Sequence, residues 1–268
     1  MQEHSVKGIE ANKHAWGQLS KDHFAAFKKS LHEGRHQFNR YILQELGRLD
    51  GKRIIHLQCN TGADTILLAK MGASATGVDL VPDNIIYARK LAEESGVDIE
   101  FIESDIMEFK DKHNEKYDLV FVSEGAICWL PDLAKWGQTV RHLLKSDGFF
   151  YIFDSHPFFM MLDEEKLKDN IFEVRYPYFA KEPNIDDWIG GYASEPKGGV
   201  KAYDWMHTVA DIINSLASAG LHIEYFHEFR ENFFDAGGML DIGDGFWNYS
   251  FNDNKFPMSF SLKATVAR

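Results

Sequence analysis

Four short polar runs in the first half of the chain each close a strand-like stretch: Gln58-Cys59, Asp79, Ser104-Asp105 and Ser123-Glu124. Brought to one edge of a parallel sheet, such side chains can grip a nucleoside, because open α/β sheets bind ligands beyond the carboxyl ends of their strands. Asp79 follows Gly62 by 17 residues, close to the ~20 that separate a glycine turn from a ribose-binding acid. A carboxylate there accepts hydrogen bonds from both ribose hydroxyls and repels a 2′-phosphate, so the ribose must be unphosphorylated. One acid alone would do no more than cap the next turn. Four aligned strand ends point to a nucleoside site.

The elements that align them are legible between 53 and 155, where strand-like and helix-like segments alternate as in a parallel sheet with crossover helices. Strands are expected at 53–58, 75–79, 99–103, 117–123 and 149–154, the last entered through the turn Ser146-Asp-Gly148. Helices are expected at 65–71, stopped by Gly72, and at 83–96, with Asp83 as N-cap and Gly96 as stop. A third, at 133–144, presents Leu133, Trp136, Val140, Leu143 and Leu144 on one face. A helix over 204–219 and two late strands, 221–229 and 259–267, complete the pattern. The expected fold is α/β: a Rossmann-like, seven-stranded, mostly parallel sheet with helices on both faces.

Residues 1–50 read as a helical cap, with Phe24, Phe27, Leu31, Phe38, Tyr41, Ile42 and Leu46 roughly in helical register. Residues 51–268 form one domain, interrupted at about 157–203 by a connection rich in Phe, Tyr, Trp, Gly and Pro. A connection far longer than ~15 residues is usually a binding lid or extra structure. Leaving the fifth strand at the ligand edge, it is placed to cover the pocket. Gly190-Gly191 and Gly198-Gly199 bracket a possible hairpin tip, 192–197.

Over 53–155, and more weakly over 204–267, the chain resembles the class I S-adenosylmethionine (SAM)-dependent methyltransferases. That family's first strand leads into an acid and a small-residue loop with three glycines; here the stretch reads Ile55-His-Leu-Gln-Cys-Asn-Thr-Gly62. His56 stands where the acid is common, Gln58 and Asn60 replace glycines, and Gly62 remains. Together with Gly77-Val-Asp79 and Pro257-Met-Ser-Phe-Ser-Leu-Lys263, this version is similar to a bacterial subgroup with an HLQC-type loop. The resemblance implies SAM as methyl donor and S-adenosylhomocysteine (SAH) as product. It puts Asp79 on the ribose diol, Asp105 on the adenine amine with the Ile106 backbone nearby, and Leu80 against the ring. Ser123 and Glu124 then lie near the methionine moiety, and the backbone carbonyls of Gln58 and Cys59 stand in for the missing acid. A sulfonium suits such acidic, carbonyl-rich walls better than an anion-binding nest. An N-terminal helix folds over the donor in many class I enzymes, which gives Trp16 the place of a closing residue; a surface-packed amphipathic helix is the other reading.

Methyl transfer is an in-line displacement helped chiefly by proximity and alignment. A carbon, oxygen or nitrogen acceptor calls for a base, whereas a thiolate does not. His156, just after the fifth strand, and His207 are the catalytic candidates, with Glu124 a third. Trp129 walls the substrate cavity or simply packs in the core, and the insertion aromatics Phe158, Phe159, Tyr176, Tyr178 and Trp188 bind a flat or apolar acceptor or form the lid's own core. Cys59 has no cationic partner to activate it. Asp241, Asp244 and Asp253 lack the spacing and terminal Glu of a calcium loop, so no metal is expected.

Other classes are excluded. With 29 Lys+Arg against 41 Asp+Glu the net charge is −12, and no basic cluster offers itself to nucleic acid. There is neither a dinucleotide G-x-G-x-x-G nor a phosphate-loop motif. No run approaches the ~18 apolar residues of a membrane span, and the first eight residues lack a secretory apolar region. Two cysteines make neither a disulfide framework nor a zinc site, so a cytoplasmic setting is expected. The combined reading is a SAM-dependent methyltransferase acting on a small-molecule acceptor, whose identity the sequence does not name, nor does it name the oligomeric state. The alternative is a methyltransferase-like protein that holds SAM or SAH without catalysis.

Overall fold

The structure, a computed structural model, describes residues 2–190 and 193–267. Three helices come first: α1 (Gln2–Gly17), α2 (Ser20–His32) and α3 (Arg40–Leu46). The alternating part follows as β1 (Arg53–Leu57), α4 (Ala63–Lys70), β2 (Ser74–Asp79), α5 (Pro82–Ser95), β3 (Glu100–Glu103), α6 (Ile106–Lys112) and β4 (Tyr117–Ser123). A 3₁₀ turn at Ile127–Trp129 leads to α7 (Leu133–Leu143) and β5 (Leu144–Ser155). Next come the short helices α8 (Pro157–Met160) and α9 (Glu164–Lys168) and the hairpin strands β6 (Asn184–Ile189) and β7 (Lys197–Asp204). The chain ends with α10 (Val209–Ser218), β8 (Leu221–Phe229), the hairpin β9 (Leu240–Gly243) and β10 (Phe246–Asn248), and β11 (Ser259–Val266).

The main sheet has seven strands in the order β3-β2-β1-β4-β5-β11-β8. β1 to β5 are mutually parallel, and only β11 runs against its neighbours. The strand order reverses at β1, between β2 and β4, which opens a crevice above their carboxyl ends. β4 shows why the sheet is buried on both faces: Val120 and Val122 pack toward Trp136, Val140, Ile212 and Leu216 from α7 and α10. Leu119 and Phe121 pack the other way, with Ile42 and Leu46 of α3 and Leu68 of α4. An all-apolar central strand needs this two-sided cover.

Local readings differ from the structure at four places. Asp83 is not the N-cap of α5; Val81 holds that position in extended backbone and Pro82 begins the helix, a ring pre-set for helical φ where the missing N–H costs nothing. β5 starts at Leu144, because its pairing passes from Tyr117↔Leu144 to Leu119↔Phe149 and absorbs the Ser146-Asp-Gly148 turn as a bulge. α10 begins at Val209, since Asp204 still belongs to β7. The Thr208 hydroxyl and Asp211 form a reciprocal capping box there. Lastly, residues 230–258 are not a plain link between late strands. Their Met239, Tyr249, Phe256 and Met258 build a small core with Phe159, Leu162 and Leu167 of the earlier insertion.

The first insertion carries the expected hairpin, although Gly191 and Tyr192 of its tip lie outside the described residues. β7 is fastened to α1 by one side chain. The buried Asn12 donates to Tyr203 O and accepts from Tyr203 N, both at 2.7 Å. Around this joint Ala15 and Leu19 of α1 and its exit pack on Ile189 and Ala202, with Trp16 and Trp129 alongside. Cap and insertion therefore meet directly beside the crevice.

α7 and α10 touch backbone to backbone at Gly137, where an added Cβ would land on the Ser215 carbonyl. Gly137→Ala should therefore destabilise the fold by about 1–3 kcal/mol, in spite of alanine's better helix propensity, as read from urea denaturation.

Candidate functional site

Gly62, Gln58 and Asn60 share a backbone conformation that their side chains do not. Residues 58, 60 and 62 have φ of 57°, 51° and 79°, all in the left-handed region natural to glycine. Glycine is compulsory only at 62, where a Cβ would stand 2.8 Å from Phe101 Cζ. Asn60 tolerates this region best among side-chain residues, and its Oδ1 takes the Thr61 N–H at 2.6 Å. Gln58 is strained by about 1–2 kcal/mol. Its Nε2 donates to Ala126 O at 2.8 Å, tying the loop to the turn after β4. Its Oε1 is buried and meets no donor among the described residues.

His56 binds the floor together. Its Nδ1 lies 2.9 Å from Thr65 Oγ1 on α4, and its Nε2 3.0 Å from Ser123 Oγ on β4. Burial pushes the imidazole down to about 4, so it is neutral and needs one donating and one accepting hydroxyl, which Thr and Ser supply in either sense. His56 thus bridges three elements without charge.

Asp79 ends β2 and is 7% exposed. Its Oδ2 accepts from Asn60 N at 2.8 Å, and its Oδ1 from Val81 N at 2.9 Å and Asn84 Nδ2 at 3.0 Å. Burial raises it to about 6 against the pull of these donors. α2 reaches the same group, since Ser20 Oγ lies 2.6 Å from Asn84 Oδ1. Asp105 caps α6 by accepting from Met107 N at 2.8 Å, and burial raises its carboxyl. Leu80 is half-buried and Ile106 is sunk in the core, which leaves only its backbone for a ligand.

Ser123 is committed to His56. Glu124 beyond it keeps surface open to solvent and accepts from Asn39 Nδ2 at 3.2 Å. The walls of its cleft and the Asp64 and Asp154 carboxylates push its carboxyl well above the usual range. Asp154 is a positioning group that the sequence reading passed over. It is 2% exposed, and its carboxylate accepts from the N–H groups of Gly125, Ala126, Ile127 and Ser155 at 2.6–3.1 Å. Its signal was an acid ending the apolar run 149–153.

Trp16 stands over this floor with its ring 5.2 Å from Trp129 and 5.7 Å from His23, both edge-on. His23 is fully buried, lies 3.2 Å from Asn60 Nδ2, and is pushed down to about 4 by burial. Cys59 is buried, its thiol raised by burial and then by Asp79, which leaves it inert. The two histidines proposed as bases lie apart from this cluster. His156 Nδ1 accepts from Phe158 N at 3.0 Å as the N-cap of α8, and its Nε2 faces Glu228 Oε1 at 3.0 Å. His207 precedes α10, and its Nε2 donates to Leu130 O at 2.8 Å. His156 borders a mainly apolar cavity of about 550 Å³ with Phe158, Met161, Tyr178, Glu228 and Pro257. Of the other insertion aromatics, Phe159 is in the small core and Trp188 is 47% exposed. Asp241 accepts from its own Gly243 N–H, and Asp244 pairs with Arg40. Among the described residues no group of three or more His, Cys, Asp or Glu is arranged to hold a metal.

Comparison with known proteins agrees with this fold. Residues 54–148 match a family model described as a methyltransferase domain. A ubiquinone biosynthesis O-methyltransferase of Actinobacillus pleuropneumoniae is 34% identical over 115 residues, which is 41% of this chain and 49% of that protein. The chain thus spans about half the length of that relative. A SAM-dependent methyltransferase structure from Mesorhizobium loti superposes with a TM-score of 0.54 at 20% identity, covering 84% of this chain and 95% of that one. Another, from Clostridium acetobutylicum, gives 0.56 at 15% identity over 91% and 92%. The fold is the one those methyltransferases share. No described helix is long and apolar enough to cross a membrane.

Two buried neutral histidines set an acid limit. The folded state withholds protons from His23 and His56, both held near 4, that the unfolded chain binds below pH 6.5. Stability should fall as pH drops from 6.5 toward 4, by up to about 1.4 kcal/mol per pH unit for each histidine. Asp79 offsets part of this, because its raised carboxyl takes up a proton earlier in the folded state. Urea unfolding at several pH values should show a slope reduced by about one proton in His56→Gln.

Proposed function

We propose that the chain is a SAM-dependent methyltransferase that methylates a small-molecule acceptor and releases SAH. The observation that carries this reading is the loop after β1. It keeps left-handed backbone at 58, 60 and 62 although two of the three are not glycine, and it presents the Asn60 N–H to Asp79. The donor set fits the cofactor: an acid at the end of β2 for a diol, a second at the end of β3, and the buried Gln58 Oε1, which meets no donor among the described residues, for a cationic end.

In this reading Asp79 holds the ribose hydroxyls. Asp105 takes the adenine amine with the Ile106 backbone beside it, and Leu80 lies on the ring. Gln58, Cys59, Asn60, Gly62, Ser123 and Glu124 surround the amino-acid end, and Trp16 with the 1–50 cap and the 157–203 insertion shuts out water. When bound, the donor supplies an electrophilic methyl group on a sulfonium. The protein's part is to align an acceptor with it and to take a proton from an oxygen, nitrogen or carbon acceptor. Glu124 suits the proton step better than His156, because its carboxyl is raised above the usual range and stands open to solvent at the end of β4. His156 Nδ1 already accepts from the Phe158 N–H, and its Nε2 faces Glu228.

The likeness to a ubiquinone biosynthesis O-methyltransferase favours a small-molecule acceptor, and the net charge of −12 argues against nucleic acid. Both cysteines are free thiols, in keeping with a reducing cytoplasm. The direct test is calorimetric titration with SAM and SAH, followed by mass spectrometry of reactions with small phenols, amines and thiols. Binding with a product 14 Da heavier is expected. Binding with no product across the panel would favour the non-catalytic alternative, and no binding would defeat both.

Asp79→Ala should weaken SAH at least tenfold, since hydrogen bonds to a charged group contribute about 1.5–3 kcal/mol. Because the acid near 6 grips best when ionised, SAH affinity in the wild type should fall as pH drops below 6. In Asp79→Asn that dependence should vanish, as titrations at pH 5 and 7.5 would reveal.

A further inference from the structure

Gln58 combines two unfavourable features at one point of the crevice. Its φ of 57° places an L-residue in glycine's region, and its side-chain oxygen is buried without a donor among the described residues. Strain of this kind persists only where the surroundings impose it, and it gathers at ligand sites. Here the surroundings are explicit. Nε2 donates to Ala126 O at 2.8 Å, which settles the amide's orientation, because the reverse would set two carbonyl oxygens against each other. Ala126 is fixed in turn, its N–H and those of Gly125 and Ile127 being bound to the buried Asp154. The Gln58 oxygen is thus presented rigidly, at the end of β1 where the strand order reverses.

An oxygen with that setting wants a donor that carries charge and accepts nothing in return. An ammonium is such a group, with three donors and no acceptor, and a charge-assisted bond is the stronger kind. His56, two residues earlier, is neutral and has both nitrogens occupied by hydroxyls. We propose that the side-chain carbonyl of Gln58 is the acceptor for the α-ammonium of the methyl donor, so that this chain reads the donor's amino-acid end with a neutral amide. The inference rests on the SAM reading above, and it deepens that reading from a cofactor to the atom that recognises one of its groups.

The experiment compares SAH with its desamino analogue, S-adenosyl-4-thiobutyrate, by calorimetric titration of the full chain. Wild-type protein should prefer SAH by tenfold or more. Gln58→Met, similar in shape but without the carbonyl, should lose that preference, weakening SAH about tenfold and leaving the analogue within twofold. Gln58→Gly, which relieves the backbone strain and so guards against misfolding, should behave the same way. Equal weakening of both ligands would overturn the proposal by making Gln58 a merely structural tie. So would an unchanged preference, or a preference lost in Glu124→Gln instead. If wild-type protein binds neither ligand, the SAM reading itself fails, and the Gln58 role with it.

Discussion

The hydrogen bond from Asn60 N–H to Asp79 Oδ2, 2.8 Å long, joins the ends of β1 and β2 and sets the shape of the crevice between them. It forms only if the chain leaving β1 takes left-handed steps at 58, 60 and 62, which turn the Asn60 N–H toward β2. The bend must also pass close to Phe101, which is why a side chain is tolerated at 58 and 60 and excluded at 62. Asp79 is then held by two backbone N–H groups and the Asn84 amide. Those donors are what allow a carboxylate so deeply buried to retain ionisable character near neutral pH.

Around this joint the charged and neutral fasteners divide the labour. Asp154 converges four N–H groups on one carboxylate and so shapes the turn after β4. His56 spans β1, α4 and β4 with two neutral hydroxyl contacts. A carboxylate at 56 would have to be desolvated near Asp64; the imidazole avoids that accumulation of charge. With His56 neutral, the cationic part of the proposed donor must find its partners elsewhere, at Gln58 and Glu124 in that proposal.

The roof is built from segments distant in sequence. Asn12 satisfies both backbone groups of Tyr203, and Trp16 of α1 meets Trp129 from the turn after β4. The second insertion shares a core with the first through Phe159, Leu167, Met239 and Phe256. Cap, insertion and late segment are therefore coupled to one another by packing, and any movement that admits a ligand has to carry them in concert or break these contacts.

Periodicity and punctuation in the sequence determined the alternating sheet, the strand ends that face the crevice, and the place of Asp79, because each of those depends on neighbours within one element and its turn. α7 is an example: its buried stripe is written at helical spacing in Leu133, Trp136, Val140 and Leu143. The start of α10 was misread because Asp204 pairs in a hairpin whose partner, Asn184, is 20 residues away. The 230–258 segment was illegible for the same reason, its Gly, Asp and Asn spacing suggesting a loop while its apolar residues found partners some 80 positions earlier. Only the tertiary structure decided that His56 is a bridge, that Asp154 is a clasp and that the Gln58 oxygen meets no donor among the described residues. Each of those properties belongs to groups brought together by strand order, and strand order is set by the packing of the whole sheet rather than by any local run of residues.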